Sequence, residues 1–159
     1  AFVDSLRDII SCDIEIADSA EQVVKEADII TLITSAKEPV IDGNWVKKGT
    51  HINGIGSHAP NMRELDTLTL KNSKVVCDLV DACKPEAGDF IIPIEAGEYS
   101  WGEIHGSLGD VITNRIPGRV NDDEITVFKS VGLAIQDIST AFHVYERAVE
   151  FGVGLDFRF

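Results

Sequence analysis

The stretch GTHINGIGSHAPNMREL, residues 49–65, holds the densest group of side chains able to do chemistry. Ser57, His58 and Asn61 place a hydroxyl, an imidazole and a carboxamide just past a short apolar strand. A histidine titrates near neutral pH, so His58 can give or take a proton. Gly54 and Gly56 carry no Cβ, which allows close approach of backbone to a ligand. Pro60 disfavours helix at Ala59, and a new helix starts near Asp66. Open α/β sheets bind ligands at strand ends of this kind. An idle βα loop accounts for the same residues. Two further strand ends are polar: Thr34-Ser35 and Ser130-Val131-Gly132. The Thr34 and Ser35 hydroxyls suit a ligand or the turn itself. Ser130 reads as a helix N-cap that leaves free N–H groups for a carboxylate or phosphate, or as a purely structural cap.

The elements that must position these ends alternate along the chain. Residues 1–10 read as the end of a helix, and Ile14 and Ile16 alternate with acidic residues as in a short strand. Ser19 and Gln22 have capping-box spacing for a helix to about Ala27. Ile29–Ile33 is a nearly continuous apolar strand, the pattern of burial on both faces. Asp42-Gly43-Asn44 is a turn, with Trp45 and Val46 anchoring a short helical piece. A strand over 50–55 follows, then a helix over 66–72, a strand over 74–79 and a helix over 81–88. Pro93, Gly97 and Gly102 suggest that 89–103 is irregular. A helix over 104–114, a strand over 124–129 and a long helix from Ala134 complete the core. The apolar stripe of that helix is Ala134, Ile138, Ala141, Phe142, Tyr145, Ala148 and Val149. Gly152 and Gly154 end it, and 155–159 alternates like an edge strand. Strand–helix alternation predicts a parallel sheet with helices on both faces, and it brings the three polar strand ends to one edge.

Composition narrows the function. The 159 residues suit one domain of ordinary size. A net charge of −13 excludes the clustered cations that nucleic-acid binding needs. Cys12, Cys77 and Cys83 have no zinc or redox spacing, which suggests reduced thiols and a cytoplasmic protein. No apolar run is long enough for a membrane span. The G-x-G-x-x-G turn of a dinucleotide domain is absent, because Gly152-Val153-Gly154 follows a helix. In the usual 3-2-1-4-5-6 order, two strands would separate Ile14 from Ile30, and this chain does not supply them. Either the strand order differs, or this is a Rossmann-like sheet without its first strands and glycine-rich loop, the C-terminal piece of a longer protein, which a start inside a helix favours.

Several short motifs in register resemble the ornithine cyclodeaminase/mu-crystallin family. They are HINGIGSHAP at 51–60, RELD at 63–66, EAGD at 86–89, PGR at 117–119 and DEITVFKSVGLAIQD at 123–137. The resemblance implies an NAD- or NADP-binding Rossmann domain over 1–151. Residues 152–159 would return to an N-terminal dimerisation and substrate domain, which is the missing half. It implies a homodimer acting on a small amino or imino acid. Thr34 and Ser35 match the turn beside the adenosine part of the cofactor. Asn53, Gly54, Ile55 and Gly56 match the strand end that lines the nicotinamide, with Ser57 beside them. Ser130, Val131 and Gly132 match the segment beside the carboxamide and substrate. His58 stands where cyclodeaminases have a proton-transferring aspartate, and Met62 where some members have a cofactor-contacting lysine. This departure favours a ketimine reductase or amino-acid dehydrogenase over an ornithine cyclodeaminase. A non-catalytic cofactor- or ligand-binding protein is the other alternative. No metal site is expected.

Overall fold

The computed structural model describes residues 2–6, 9–155 and 157. Five strands form one parallel sheet: β1 (Ile29–Leu32), β2 (His51–Gly54), β3 (Ser73–Cys77), β4 (Gly106–Ser107) and β5 (Ile125–Lys129). Their spatial order is β1-β2-β5-β3-β4. Side chains alternate across the sheet. One face presents Ile30, Leu32, Ile52, Val75, Cys77, Val127 and Lys129, all buried. Against it pack buried residues of α3 (Thr67–Lys71), α4 (Val80–Glu86) and α5 (Gly88–Glu95), among them Leu70, Cys83 and Phe90. The other face carries α6 (Leu108–Ile112), whose Leu108 and Val111 lie over His51, Val76 and Phe128. The expected parallel sheet with helices on both faces is the observed fold.

Several local expectations fail for identifiable reasons. Ile14 and Ile16 form no strand. The sheet ends at β1, and a ladder needs a neighbour. Residues 89–95 are helical, despite Pro93, because burial of Phe90 outweighs propensity. Phe90 stacks on Tyr99 at 6.3 Å and meets Trp101 edge-on at 6.0 Å. The helix stops at Gly97, whose φ of 73° is left-handed. Gly88 opens α5 and does not end α4. The segment 104–114 is split, since Gly106 and Ser107 pair with Val76 and Cys77 before α6 begins. Trp45 lies in a turn, without the expected helical piece, and packs with Val46 against the core.

The N-terminal helix is α1 (Phe2–Leu6), and Ala1, Arg7 and Asp8 of the expected helix lie outside the described residues. Ser19 caps α2 (Ala20–Glu26) as read, accepting from the Gln22 amide at 3.2 Å. Asp66 likewise caps α3, accepting from the Thr69 amide at 2.8 Å. The long helix is α7 (Ala134–Phe151), ended by Gly152 at φ 63°. Leu133, not Ser130, is its N-cap, and the Gln136 side chain accepts from the Leu133 amide. No residue of α7 is buried. The expected strand at 155–159 cannot be followed, because Asp156, Arg158 and Phe159 lie outside the described residues. No described helix is long and apolar enough to cross a membrane.

Candidate functional site

The register sets the three polar strand ends side by side. Leu32 pairs with Gly54, and Gly54 with Lys129. The residues that follow, Thr34-Ser35, Ile55 to His58 and Ser130 to Gly132, therefore leave the sheet at one level. The Ile55 amide donates to the Leu32 carbonyl at 2.9 Å, and the Ser130 amide to the Gly54 carbonyl at 3.2 Å. Each loop is thus tied to its neighbour before it diverges.

Beneath them lies a set of buried charges that the sequence reading missed. Glu64 is fully buried. Its Oε1 accepts from the Thr34 amide at 2.5 Å, and its Oε2 from the Gly56 and Ser57 amides at 2.8 and 3.2 Å. One carboxylate so joins two of the three loops. Asp89, also fully buried, accepts from the Glu64 and Leu65 amides through Oδ1, at 2.7 and 2.9 Å. Its Oδ2 lies 3.0 Å from Nζ of the buried Lys129. Neither atom has an aligned hydrogen bond, so this contact is an ion pair held by charge and not by direction. A buried charge demands a partner, and each member makes the other tolerable. Period-two alternation along β5 puts Lys129 on the apolar face with Val127, a signal that marks it in the sequence.

Asp78 follows β3 and holds the third loop. Its Oδ2 accepts from the Ser130 hydroxyl at 2.8 Å and from the Val131 and Gly132 amides at 2.9 and 3.1 Å. Ser130 is buried and spent on this contact, which is why it does not cap α7. Cys83 donates to Asp78 Oδ1 at 3.6 Å. The hydrogen bond with Cys77, together with burial, pushes the Cys83 thiol far above its ordinary range.

At two of the site glycines the chain itself takes the space that a Cβ would need. A Cβ on Gly56 would sit 2.2 Å from the Thr34 carbonyl oxygen and 2.4 Å from Glu64 Oε1. At Gly54 it would meet Leu65 at 3.3 Å. Both positions are filled by the chain itself, and the close approach is internal. Gly132 is the open one: its φ is 87° and nothing lies within 4 Å of its Cβ position.

His58 is exposed on a braced loop. Ser57 is buried; its hydroxyl donates to the Met62 carbonyl at 2.7 Å and accepts from the Asp89 amide at 3.3 Å. The loop also lies against Gly88, where a Cβ would fall 2.1 Å from the Met62 carbonyl oxygen. The His58 Nδ1 is 2.8 Å from the Gly56 carbonyl. A carbonyl only accepts, so Nδ1 carries the hydrogen and Nε2 is the free position. Thr34 and Ser35 are exposed, and the Thr34 hydroxyl accepts from the Ala36 amide at 3.2 Å.

Asn53 does not join this edge. Its side chain lies on the α6 face, where it donates to Thr31 at 3.3 Å and meets His51 Nε2 at 3.1 Å. His51 Nδ1 meets Thr126, which accepts from Arg119 at 2.9 Å. Both His51 nitrogens are therefore used. This polar row floors a depression of about 500 Å³ on the sheet face, which lies away from the strand ends. No group of three or more histidine, cysteine, aspartate or glutamate residues suited to a metal ion occurs among the described residues.

Comparison with known proteins extends this geometry. The model of the ornithine cyclodeaminase/mu-crystallin family matches residues 1–152. The chain belongs to that family. A Delta(1)-pyrroline-2-carboxylate reductase of Bacillus cereus is 45% identical over 137 residues, 86% of this chain and 42% of the relative. The Thermococcus litoralis Delta(1)-pyrroline-2-carboxylate reductase, solved with NADH and L-proline, superposes with a TM-score of 0.84 at 43% identity, covering 89% of this chain and 44% of its own. An archaeal alanine dehydrogenase dimer with bound NAD gives 0.84 at 36% identity, over 99% of this chain and 48% of its own. The chain spans less than half the length of the relatives it matches.

Proposed function

We propose that the chain supplies the nicotinamide-facing part of an NAD(P)-dependent oxidoreductase that reduces a ketimine or imino acid, or acts as an amino-acid dehydrogenase. The observation that carries this reading is the level alignment of Leu32, Gly54 and Lys129, which sets three braced loops side by side, the middle one carrying His58. The pyrroline-2-carboxylate reductases and the alanine dehydrogenase among the relatives support it. Residues 1–151 form the cofactor domain in this reading. Residues 152–159 lead towards a further domain that supplies dimerisation and much of the substrate site, in a cytoplasmic homodimer.

The strand ends fit a dinucleotide at its nicotinamide end. Open space above Gly132 admits a flat ring, and the exposed hydroxyls of Thr34 and Ser35 are left for the adenosine side. Nothing in the chain cradles a pyrophosphate in a G-x-G-x-x-G turn. The bound cofactor would supply hydride. Glu64 and Asp78 hold the loops in place, so no loop ordering accompanies binding. His58, exposed and with Nδ1 on the Gly56 carbonyl, leaves Nε2 as a proton donor when protonated and an acceptor when neutral. It differs from an anionic carboxylate, which would stabilise a cationic iminium through the longer sequence of a cyclodeamination. Ornithine cyclodeaminase is therefore the second reading, and passive cofactor binding the third.

The test is an assay of the full-length protein. NADH or NADPH is offered with pyrroline-2-carboxylate, piperideine-2-carboxylate, or pyruvate with ammonia, and ornithine with NAD is run in parallel. Cofactor oxidation with one of the imines is the expected result. Proline formed from ornithine at the faster rate would overturn the reductase reading, and turnover of none of these substrates would favour passive binding. His58→Asp is expected to leave cyclodeamination inefficient.

A further inference from the structure

The Asp78 carboxylate is buried, and every donor around it is uncharged. Oδ2 takes the Ser130 hydroxyl and the Val131 and Gly132 amides, while Oδ1 takes the Leu79 amide at 2.7 Å and the Cys83 thiol. Acceptance on both oxygens suits a deprotonated carboxyl. No ion pair of the described residues includes Asp78. The lysines nearest in sequence, Lys74 and Lys84, pair with Glu124 and Asp81, and Lys129, whose carbonyl accepts from the Asp78 amide at 2.9 Å, is committed to Asp89. An uncompensated negative charge thus lies directly behind Ser130–Gly132, where water screens it little.

We propose that Asp78 both positions this segment and stabilises the positive charge that a nicotinamide ring gains on giving up hydride. The inference rests on the proposed placement of Ser130–Gly132 beside the nicotinamide. In that reaction the C4–H bond of the reduced ring breaks and two electrons pass with the hydrogen to the carbon of a protonated C=N bond. A C–H bond forms there, the imine is reduced to a neutral amine, and the ring is oxidised to a cation. Charge therefore moves from the substrate onto the ring. A fixed anion behind the ring favours the product side of that movement, and it favours the oxidised cofactor over the reduced one in simple binding.

The test compares dissociation constants of the oxidised and reduced forms of whichever cofactor the wild-type full-length protein binds, measured by calorimetry without substrate. Asp78→Asn keeps the volume and removes the charge. The ratio of the oxidised-form constant to the reduced-form constant is expected to rise at least about fivefold, from the lost attraction between unit charges at a high effective dielectric. Asp78→Ser, which leaves room for water, serves the same purpose if the asparagine variant does not fold. Equal weakening of both forms would reduce Asp78 to a structural brace and overturn the inference. So would failure of both variants to fold. Wild-type protein that binds neither form would instead sink the cofactor site on which the inference depends.

Discussion

At the residue scale, the site is held by buried groups whose replacement has large and distinct effects. Gly56→Ala forces a methyl against the Thr34 carbonyl and Glu64, so the two loops must part. It is expected to cost about 2 kcal/mol or more in urea unfolding, the range of an overpacked core position, and to weaken cofactor binding in the full-length protein. Lys129→Met alone strands the Asp89 charge and is expected to cost about 3–5 kcal/mol. The double variant Lys129→Met with Asp89→Asn should recover part of that loss, which a double-mutant cycle measures. The thiols divide by burial. Cys12 is exposed, whereas Cys77 and Cys83 are buried, with Cys83 held protonated by its neighbour and by burial. A thiol reagent should therefore modify one of the three cysteines in the native protein and all three after denaturation. His58 and the strand-end hydroxyls were legible in the sequence because polar residues after apolar runs stand out. Glu64, Asp78 and Asp89 were not, because a buried acid in a loop looks like any solvated one until its donors are placed.

At the element scale, the strands were legible and their partners were not. Apolar runs fixed β1, β2, β3 and β5, but β4 has two residues and no pattern of its own. It exists because Gly106 and Ser107 pair with β3. The helix α5 was hidden by Pro93, whose effect as a breaker is outweighed by Phe90 in the core. The start of β5 is fastened to β3 by Glu124, which lies 2.9 Å from Lys74 and accepts from the Val120 amide at 3.0 Å. The Lys74 hydrogen bond, and then that amide, hold the Glu124 carboxyl below the usual carboxylate range. A lowered folded value means that this stabilisation is present above the ordinary glutamate range and is lost as pH falls from there through the lowered folded value. Glu124→Gln should therefore lower the thermal midpoint at neutral and alkaline pH, where the contribution is fully present, and the difference from wild type should shrink as pH falls into the acid range.

At the scale of the whole molecule, one side of the sheet is finished and the other features stand open. The edge of β1 has no paired strand among the described residues, and Ile29 is 67% exposed. Along α7, Ile135, Ile138, Phe142, Tyr145 and Val149 recur at three- and four-residue spacing and are all exposed. The sequence showed Ile138, Phe142, Tyr145 and Val149 as a stripe but not that no described residue covers it, since periodicity gives a direction and not a neighbour. The 159-residue chain alone should bind a hydrophobic dye and run larger than a monomer in light scattering. Ile138→Glu combined with Phe142→Glu should diminish both effects without lowering the unfolding midpoint, because neither side chain is buried.

The Glu64 brace has a kinetic consequence. Amides in surface loops usually exchange their hydrogens with solvent readily, through small local openings. Those of Thr34, Gly56 and Ser57 are bonded to a carboxylate that is itself fully buried and anchored through Asp89. They cannot be released without disturbing the sheet underneath, so their exchange should be as slow as that of Ile52 or Val127 at the centre of the strands. By this measure the loops that face the proposed cofactor belong to the last part of the molecule to open.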